Sequence, residues 1–170
     1  MQQQRVEFRL ARPSEVGAVS AVLRQSFAEL EPQYTSEAFA ATVISDEEAT
    51  SRMSEGPVWV GLVDGHVVAT GSAVVRATGL YIRGMGVVPQ ARGLRLGWRL
   101  LELMEDFARH RGLQRMYLST TPFLDRAIRL YESYGFERTD EPPHEMFGTP
   151  LFTMSRGLTG AGENIEGAAA

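Results

Sequence analysis

Cysteine and lysine are both absent from the 170 residues, and each absence excludes a class of chemistry. Without cysteine, the chain has no disulfide, no thiolate ligand for a metal and no acyl-cysteine intermediate. Without lysine, it has neither the amine of Schiff-base chemistry nor the basic side chain that a P-loop requires. All 17 basic residues are therefore arginines.

Long apolar segments are missing as well. The opening stretch MQQQRVEFRL lacks the apolar core of a signal peptide, and no apolar run approaches the length of a membrane span. We therefore expect a cytoplasmic protein without a membrane partner. The formal net charge of −4 argues against nucleic acid as a partner, because its binding requires a basic surplus.

The hydrophobic pattern predicts one domain of strands and helices, since 44% hydrophobic residues suffice for a substantial core. Val6, Phe8 and Leu10 alternate with polar residues, as on a half-buried strand, and Asp64-Gly65 is a strong hairpin signal. Further strands are predicted at 57–63, 66–75, 80–88, 113–119, 136–140 and 150–156.

Capping residues predict where the helices begin and end. Ser14 is a suitable N-cap for a helix to about Phe27, and Ser45 with Glu48 fits a capping box. The predicted long helix after Gly93 ends at Gly112, and the next begins at Thr121-Pro122 and ends at Gly135.

This order of elements indicates an α+β fold, with a parallel right-handed crossover over residues 80–119. We expect a single domain over residues 1–156. Residues 157–170 have little to bury, and we expect this tail to be disordered.

At residues 87–97 a strand gives way to a basic turn and a helix, an arrangement that often binds phosphate. Gly84 and Gly86 supply two glycines of a dinucleotide motif, but Pro89 replaces the third. The remaining alternative is a purely structural turn, in which Gly93 and Gly97 only ease the path of the chain.

The segment RGLRLG, Arg92 to Gly97, resembles the acyl-CoA-binding motif of the GCN5-related N-acetyltransferase (GNAT) superfamily. That motif is Gln or Arg, two residues, Gly, one residue, then Gly or Ala, and Arg95 stands at its first glycine. The segment AIRLYESYGF, Ala127 to Phe136, is similar to the C-terminal signature of the family, A-x-x-L-Y-x-x-x-G-F. Leu124 stands where the family often has asparagine. The two motifs occur in the family order, with the expected strand between them.

The resemblance implies a mixed, mostly antiparallel sheet of six to seven strands with helices on both faces. It also implies that acetyl-CoA binds as acyl donor, with its pyrophosphate at the helix start and its pantetheine beside the preceding strand. No metal is expected. The implied cofactor-binding residues are Met85, Gly86, Val87, Val88, Arg92, Gly93, Leu94, Arg95, Leu96 and Gly97.

The implied activity is transfer of an acetyl group to a primary amine, of a small molecule or a peptide. Because the chain has no cysteine, direct attack in a ternary complex is favoured over an acyl-enzyme. A strand amide near Val87 is a candidate donor to the thioester oxygen. Tyr131 matches the signature tyrosine of the family and is the candidate proton donor to the departing thiolate.

The acceptor is not specified by the sequence, although the acidic net charge favours cationic amines. Candidate acceptor-binding residues are Glu29, Glu31, Tyr34 and Arg83. Two other functions stay open: a non-catalytic acyl-CoA-binding regulatory module on the same fold, and an interaction domain without a ligand. A homodimer is compatible with each of them.

Overall fold

The computed structural model describes residues 3–158, which form one mixed sheet with helices against both of its faces. The strands are β1 (Val6–Leu10), β2 (Val58–Val63), β3 (His66–Arg76), β4 (Gly79–Val87), β5 (Arg115–Thr120), β6 (Glu137–Arg138), β7 (His144–Met146) and β8 (Thr149–Gly157). The helices are α1 (Val16–Phe27), α2 (Ser36–Thr42), α3 (Asp46–Glu55), α4 (Leu96–His110) and α5 (Asp125–Tyr134).

The strand order is β1-β2-β3-β4-β5-β8-β6, and the short strand β7 pairs with β8. Every pairing is antiparallel except that of β4 with β5, which are joined by the crossover helix α4. The predicted α+β fold is therefore confirmed, as are its mostly antiparallel sheet and its parallel crossover. β7 was not predicted, because three residues are too few to show an alternating pattern.

Each face of the sheet is covered by its own helices. Leu100, Leu101 and Met104 of α4 are fully buried in the larger core, to which α5 also contributes. Val19 and Leu23 of α1 belong to a second core, which α1 and α3 form on the other face. The sheet is therefore sandwiched, as the resemblance implied.

β4 and β5 are paired only where they begin. Leu80 pairs with Met116 and Tyr81 with Tyr117, and no later residue of either strand continues the ladder. β4 also contains a bulge, because the register against β3 shifts between the pairs Thr70–Gly86 and Ser72–Arg83. Gly84 lies in this bulge with φ of 63°, a backbone conformation that glycine adopts without strain. The two strands therefore diverge towards their carboxyl ends.

In β1 and at the start of α5 the structure differs from the local sequence predictions. Val6 and Leu10 are exposed, at 44% and 56%, because β1 is the edge strand and only Phe8 packs over Gly61. Thr121-Pro122 does not begin α5, which starts at Asp125 after a turn closed by the Leu124 N–H donating to the Thr121 carbonyl. Residues 159–170 of the predicted tail lie outside the described residues. Leu158 is buried, directly after the end of β8.

The closing β7–β8 hairpin is tied to the segment before α2. Its turn consists of Phe147 and Gly148, both at positive φ. The Thr35 hydroxyl donates to the Phe147 carbonyl at 2.8 Å, and the Thr35 N–H donates to the Thr149 hydroxyl at 3.1 Å. These bonds connect residues more than a hundred positions apart in the chain.

The start of α1 depends on Glu15 rather than on the predicted N-cap Ser14. A single 3-10 turn, Pro13–Glu15, precedes the helix. The Glu15 carboxylate accepts two hydrogen bonds from the Arg9 guanidinium, at 2.7 and 2.9 Å, and a third from the Arg12 N–H at 2.7 Å. One carboxylate thus joins β1 to the beginning of the first helix.

Glu15→Gln tests this junction. The Arg9 hydrogen bonds, together with the Arg12 N–H, lower the pKa of Glu15 to about 2. A depressed carboxyl pKa stabilises the folded state above the unfolded-state pKa, and the contribution is lost as the pH falls through the folded value. At pH 7 we expect Glu15→Gln to lower the free energy of unfolding by about 1–2 kcal/mol. The difference from wild type should shrink between pH 5 and pH 2, as measured by urea unfolding. The matched control is Glu7→Gln on β1, which should change little; a difference that does not depend on pH would contradict the assignment.

Candidate active site

A cavity of about 880 Å³ opens where β4 and β5 diverge. It lies between the carboxyl end of β4, the turn before α4, the first turns of α5 and the end of α1. Four arginines and two carboxylates are among its lining residues, so the lining has a positive balance. The lining residues are Ser26, Phe27, Glu29, Leu30, Met85, Gly86, Val87, Ala91, Arg92, Gly93, Arg95, Leu96, Gly97, Trp98, Phe123, Leu124, Asp125, Arg126, Ala127, Arg129, Leu130, Tyr131 and Ser133.

The backbone of β4 presents polar groups to this cavity. The Val88 N–H donates to the Val68 carbonyl of β3 at 2.9 Å. N–H groups alternate in direction along a strand, so the preceding Val87 N–H points away from β3 and towards the cavity. The Val88 side chain is buried in the core and does not line the cavity. Of the four candidates on this strand, Met85, Gly86 and Val87 are thus at the cavity wall.

The turn before α4 leaves several amides without partners inside the helix. The first i to i−4 bond of α4 runs from the Arg99 N–H to the Arg95 carbonyl, at 3.1 Å. The amides of Leu96, Gly97 and Trp98 precede it, at the positive end of the helix dipole. Because all three of these residues line the cavity, the turn provides a place for an anion such as a phosphate.

Arg95, which stands where the motif has a glycine, adopts a backbone conformation that favours glycine. Its φ is 58° and its ψ 29°, which is the left-handed region that costs an ordinary residue roughly 1–2 kcal/mol. The Arg95 guanidinium carbon lies 5.2 Å from the centre of the Trp98 ring, a cation–π contact across the first turn of α4. Arg95 thus adopts a backbone conformation that favours glycine, and it adds a positive charge at the cavity. Leu94 is 40% exposed and points away from the cavity lining.

Arg92 and Glu29 form an ion pair at the cavity wall. Their closest N and O atoms are 2.8 Å apart, and Arg92 also donates to the Ser26 carbonyl at 3.3 Å. The arginine predicted to bind cofactor therefore connects the turn to the end of α1. Glu29, a candidate for binding the acceptor amine, is therefore neutralised by Arg92.

Gly97 leaves room for the Leu130 side chain where α4 packs against α5. A Cβ atom at this position would stand 2.7 Å from Cδ2 of Leu130. Gly93 has no atom near its Cβ position, but its φ of 92° favours glycine. The two glycines of the segment Arg92 to Gly97 therefore have different roles: Gly97 serves packing and Gly93 serves backbone conformation.

Tyr131 lines the cavity from α5 and is 7% exposed. Its ring packs on Phe136, with ring centres 5.8 Å apart. Burial raises the pKa of its phenol, and the nearby Tyr34 adds to the rise. The hydroxyl is therefore protonated at neutral pH, as a proton donor must be.

The other acceptor candidates lie outside the cavity lining. Tyr34 is buried and packs edge-on against Phe123, with ring centres 4.8 Å apart, and burial raises its pKa. Glu31 follows Glu29 in a 3-10 turn and is exposed. Arg83 faces α3, where it pairs with Glu55. The four candidates are thus not brought together at one place.

Sequence reasoning missed Trp98, Phe123, Arg126 and Arg129 as parts of the cavity. Trp98 belongs to the first turn of α4, directly after the motif, so its position in the chain was a usable signal. Phe123 and the two arginines reach the cavity only because α5 packs beside α4, which no local pattern indicates. Among residues 3–158, no group of side chains is arranged to hold a metal ion, and no helix is long and apolar enough to cross a membrane.

Comparison with known proteins places this geometry in a family. The model of the acetyltransferase (GNAT) family matches residues 19–136. The uncharacterized N-acetyltransferase YjgM of Escherichia coli K12 is 38% identical over 48% of this chain and 52% of its own length. The chain spans about half the length of the curated relatives it matches.

Solved structures show the same fold. The PaiA N-acetyltransferase of Thermoplasma acidophilum, in complex with coenzyme A, has a TM-score of 0.77 at 16% identity and covers 91% of this chain and 99% of its own. YncA of Salmonella typhimurium, solved with its cofactor acetyl-CoA, has a TM-score of 0.70 at 23% identity and covers 90% of this chain and 94% of its own. The family model, which matches well over half of the residues, establishes that this chain belongs to the acetyltransferase (GNAT) family.

Proposed function

We propose that this chain is an N-acetyltransferase that transfers the acetyl group of acetyl-CoA to a primary amine by direct attack in a ternary complex. One observation carries the proposal. The amides at the start of α4, the Val87 N–H and Tyr131 all face the same cavity between two diverging strands. The amides of α4 would bind the diphosphate of acetyl-CoA, and the Val87 N–H and Tyr131 would act at its thioester.

The binding part of the proposal uses the turn. The pyrophosphate of CoA would accept hydrogen bonds from the amides of Leu96, Gly97 and Trp98, where the helix dipole also favours negative charge. Arg95, Arg126 and Arg129 line the same cavity and add positive charge. The pantetheine arm would follow β4, whose bulge and divergence from β5 leave its backbone accessible. The coenzyme A and acetyl-CoA in the two solved structures support this choice of donor.

The chemical step needs no covalent intermediate on the protein. The neutral amine nitrogen attacks the thioester carbonyl, forming a C–N bond, while the carbonyl oxygen gains negative charge that the Val87 N–H stabilises. The tetrahedral intermediate then collapses, the C–S bond breaks, and the thiolate leaves. Tyr131 donates its phenolic proton to that sulfur, and the proton that the amine nitrogen loses returns to the Tyr131 phenolate. The products are an amide and free CoA.

Charge at the turn can be tested with two variants of Arg95. Asn and Asp both tolerate the left-handed backbone, so Arg95→Asn and Arg95→Asp differ only in charge. We expect Arg95→Asp to weaken acetyl-CoA binding at least tenfold relative to Arg95→Asn, because a carboxylate repels the pyrophosphate. Isothermal titration calorimetry measures the two dissociation constants. Equal constants would place the pyrophosphate elsewhere. Arg95 is preferable to Gly97 for this purpose, because any side chain at Gly97 would also contact Leu130.

Tyr131→Phe separates catalysis from binding. Removing the hydroxyl keeps the buried ring, so the affinity for acetyl-CoA should be unchanged while kcat falls roughly a hundredfold, the usual contribution of a general acid. Release of CoA in the presence of a mixed panel of primary amines gives the rate. The matched control is Tyr134→Phe on the same helix, whose hydroxyl donates to Glu105 at 2.8 Å, outside the cavity lining. That variant should keep its kcat.

Two results would count against Tyr131 as the proton donor. An equal fall in kcat for both tyrosine variants would indicate a general loss of structure. A Tyr131→Phe protein with full activity would show that the thiolate leaves without its help. If acetyl-CoA binds but no amine in the panel releases CoA, the proposed activity fails and a regulatory acyl-CoA-binding module is the better description.

A further inference from the structure

A group of arginines lies on the sheet face opposite α4, beside the point where β4 and β5 diverge. We call it the arginine face, and define it by Arg52 of α3, Arg76 of β3, Arg83 of β4 and Arg115 of β5. Tyr81 and Tyr117, whose ring centres are 5.2 Å apart, form its floor. Arg76 and Arg115 stack on these two rings, at 4.1 and 4.6 Å from their centres.

Arg83 stands on the cavity side of the tyrosine pair. It follows Tyr81 on β4, and Met85, two residues later, lines the cavity. The bulge turns both Arg83 and Gly84 towards α3, where the Arg83 guanidinium donates to the Glu55 carboxylate through Nη2. Its Nε is buried and, within residues 3–158, has no hydrogen-bond partner. A buried N–H of a charged group is costly without an acceptor.

Arg52 brings a second guanidinium to the same place. Its Nη1 lies 2.7 Å from where a Cβ of Gly84 would stand, so the glycine leaves the room that the guanidinium occupies. In the described part of the chain, the Arg52 side chain forms no hydrogen bond and no ion pair. Burial lowers the pKa of Arg52, and the charge of Arg83 lowers it further. Two guanidinium groups are therefore held close together, and the carboxylates near Arg52 are those of Glu48 and Glu55.

We propose that Arg83 and Arg52, at the cavity end of the arginine face, bind a carboxylate of the acceptor, so that the acetylated amine belongs to an acid-bearing molecule rather than to a purely cationic one. This inference rests on the proposed function. A carboxylate at Arg83 would pair with the exposed part of its guanidinium and offset the charge of Arg52, while the amine end of the same molecule extends along β4 to the thioester at Val87. Four residues of strand span about 13 Å, and the arginine side chain covers part of that distance.

The charge distribution distinguishes this acceptor from the one that composition suggests. The acidic balance of the whole chain favours a cationic amine, but Glu29 is engaged by Arg92 at the cavity wall. The face next to the reacting centre carries four arginines, against Glu55 and Glu141 as their paired carboxylates. Local charge, and not net charge, decides which ligand a surface attracts.

The test uses acetyl-CoA and a series of linear aminocarboxylic acids, from glycine to 6-aminohexanoic acid, each compared with its primary amide. The wild-type protein should prefer the acid over the amide in kcat/KM by roughly tenfold to a hundredfold at the best chain length, as expected for a charge-assisted contact. In Arg83→Gln this ratio should fall to about one, through KM rather than kcat.

Two further variants keep the result interpretable. Arg115 is a matched control, because it too pairs with an exposed carboxylate and has a buried Nε without a partner, but it lies on the far side of the tyrosine pair. Arg115→Gln should keep the preference for acids. Glu55→Gln removes the internal anion that competes for Arg83, and should lower KM for the acids while leaving the amides unchanged. If the role of Arg83 is merely structural, the ratio of acid to amide should not change in Arg83→Gln or in Glu55→Gln.

The outcomes separate this inference from the proposed function. If amines are acetylated but amides react as well as acids, the carboxylate site is wrong and the activity stands. If no amine is acetylated, the activity is wrong, and the carboxylate site is then decided by binding. In that case the acids, but not their amides, should raise the melting temperature of the protein saturated with CoA, and should fail to do so in Arg83→Gln.

Discussion

The divergence of β4 from β5 is the constraint on which the rest of the structure depends. Two parallel strands that stayed paired to their ends would close the sheet and leave no space for a ligand. Here the ladder stops after Tyr81 and Tyr117, and the bulge at Gly84 bends β4 further away. The backbone groups that pairing would have used are thereby directed into a cavity, where a ligand can take the place of the missing strand neighbour.

Sequence alone predicted the elements that have local causes. Asp64-Gly65, Gly112 and Gly135 each end an element because the backbone requires positive φ there, and a glycine records that need directly. Ser14 and Thr121 had equally good local chemistry but were wrong as helix starts. A carboxylate from Glu15, held by Arg9 on a neighbouring strand, determines the first start, and a turn at Leu124 determines the second. Long-range contacts override propensity at both places.

The candidate site divides in the same way. The turn from Arg92 to Gly97 and the signature around Tyr131 were readable because each is a continuous motif, and both line one cavity. The roles of Glu29 and Arg83 were not readable, because each depends on a partner distant in the chain. Glu29 is neutralised by Arg92, and Arg83 is joined by Arg52 of α3, which is separated from β4 in the chain by β2 and β3. Contacts between residues distant in the chain are the part of the candidate site that local sequence specifies least.

The hydrogen bonds from Thr35 to the turn of the β7–β8 hairpin join the first half of the chain to its closing strands. Tyr34, the neighbour of Thr35, packs on Phe123, which forms part of the cavity wall. A displacement of the hairpin tip would therefore reach the cavity wall through Thr35 and its neighbour Tyr34. A ligand that displaced this tip would also shift that wall, so the position of the hairpin and the shape of the cavity are mechanically coupled.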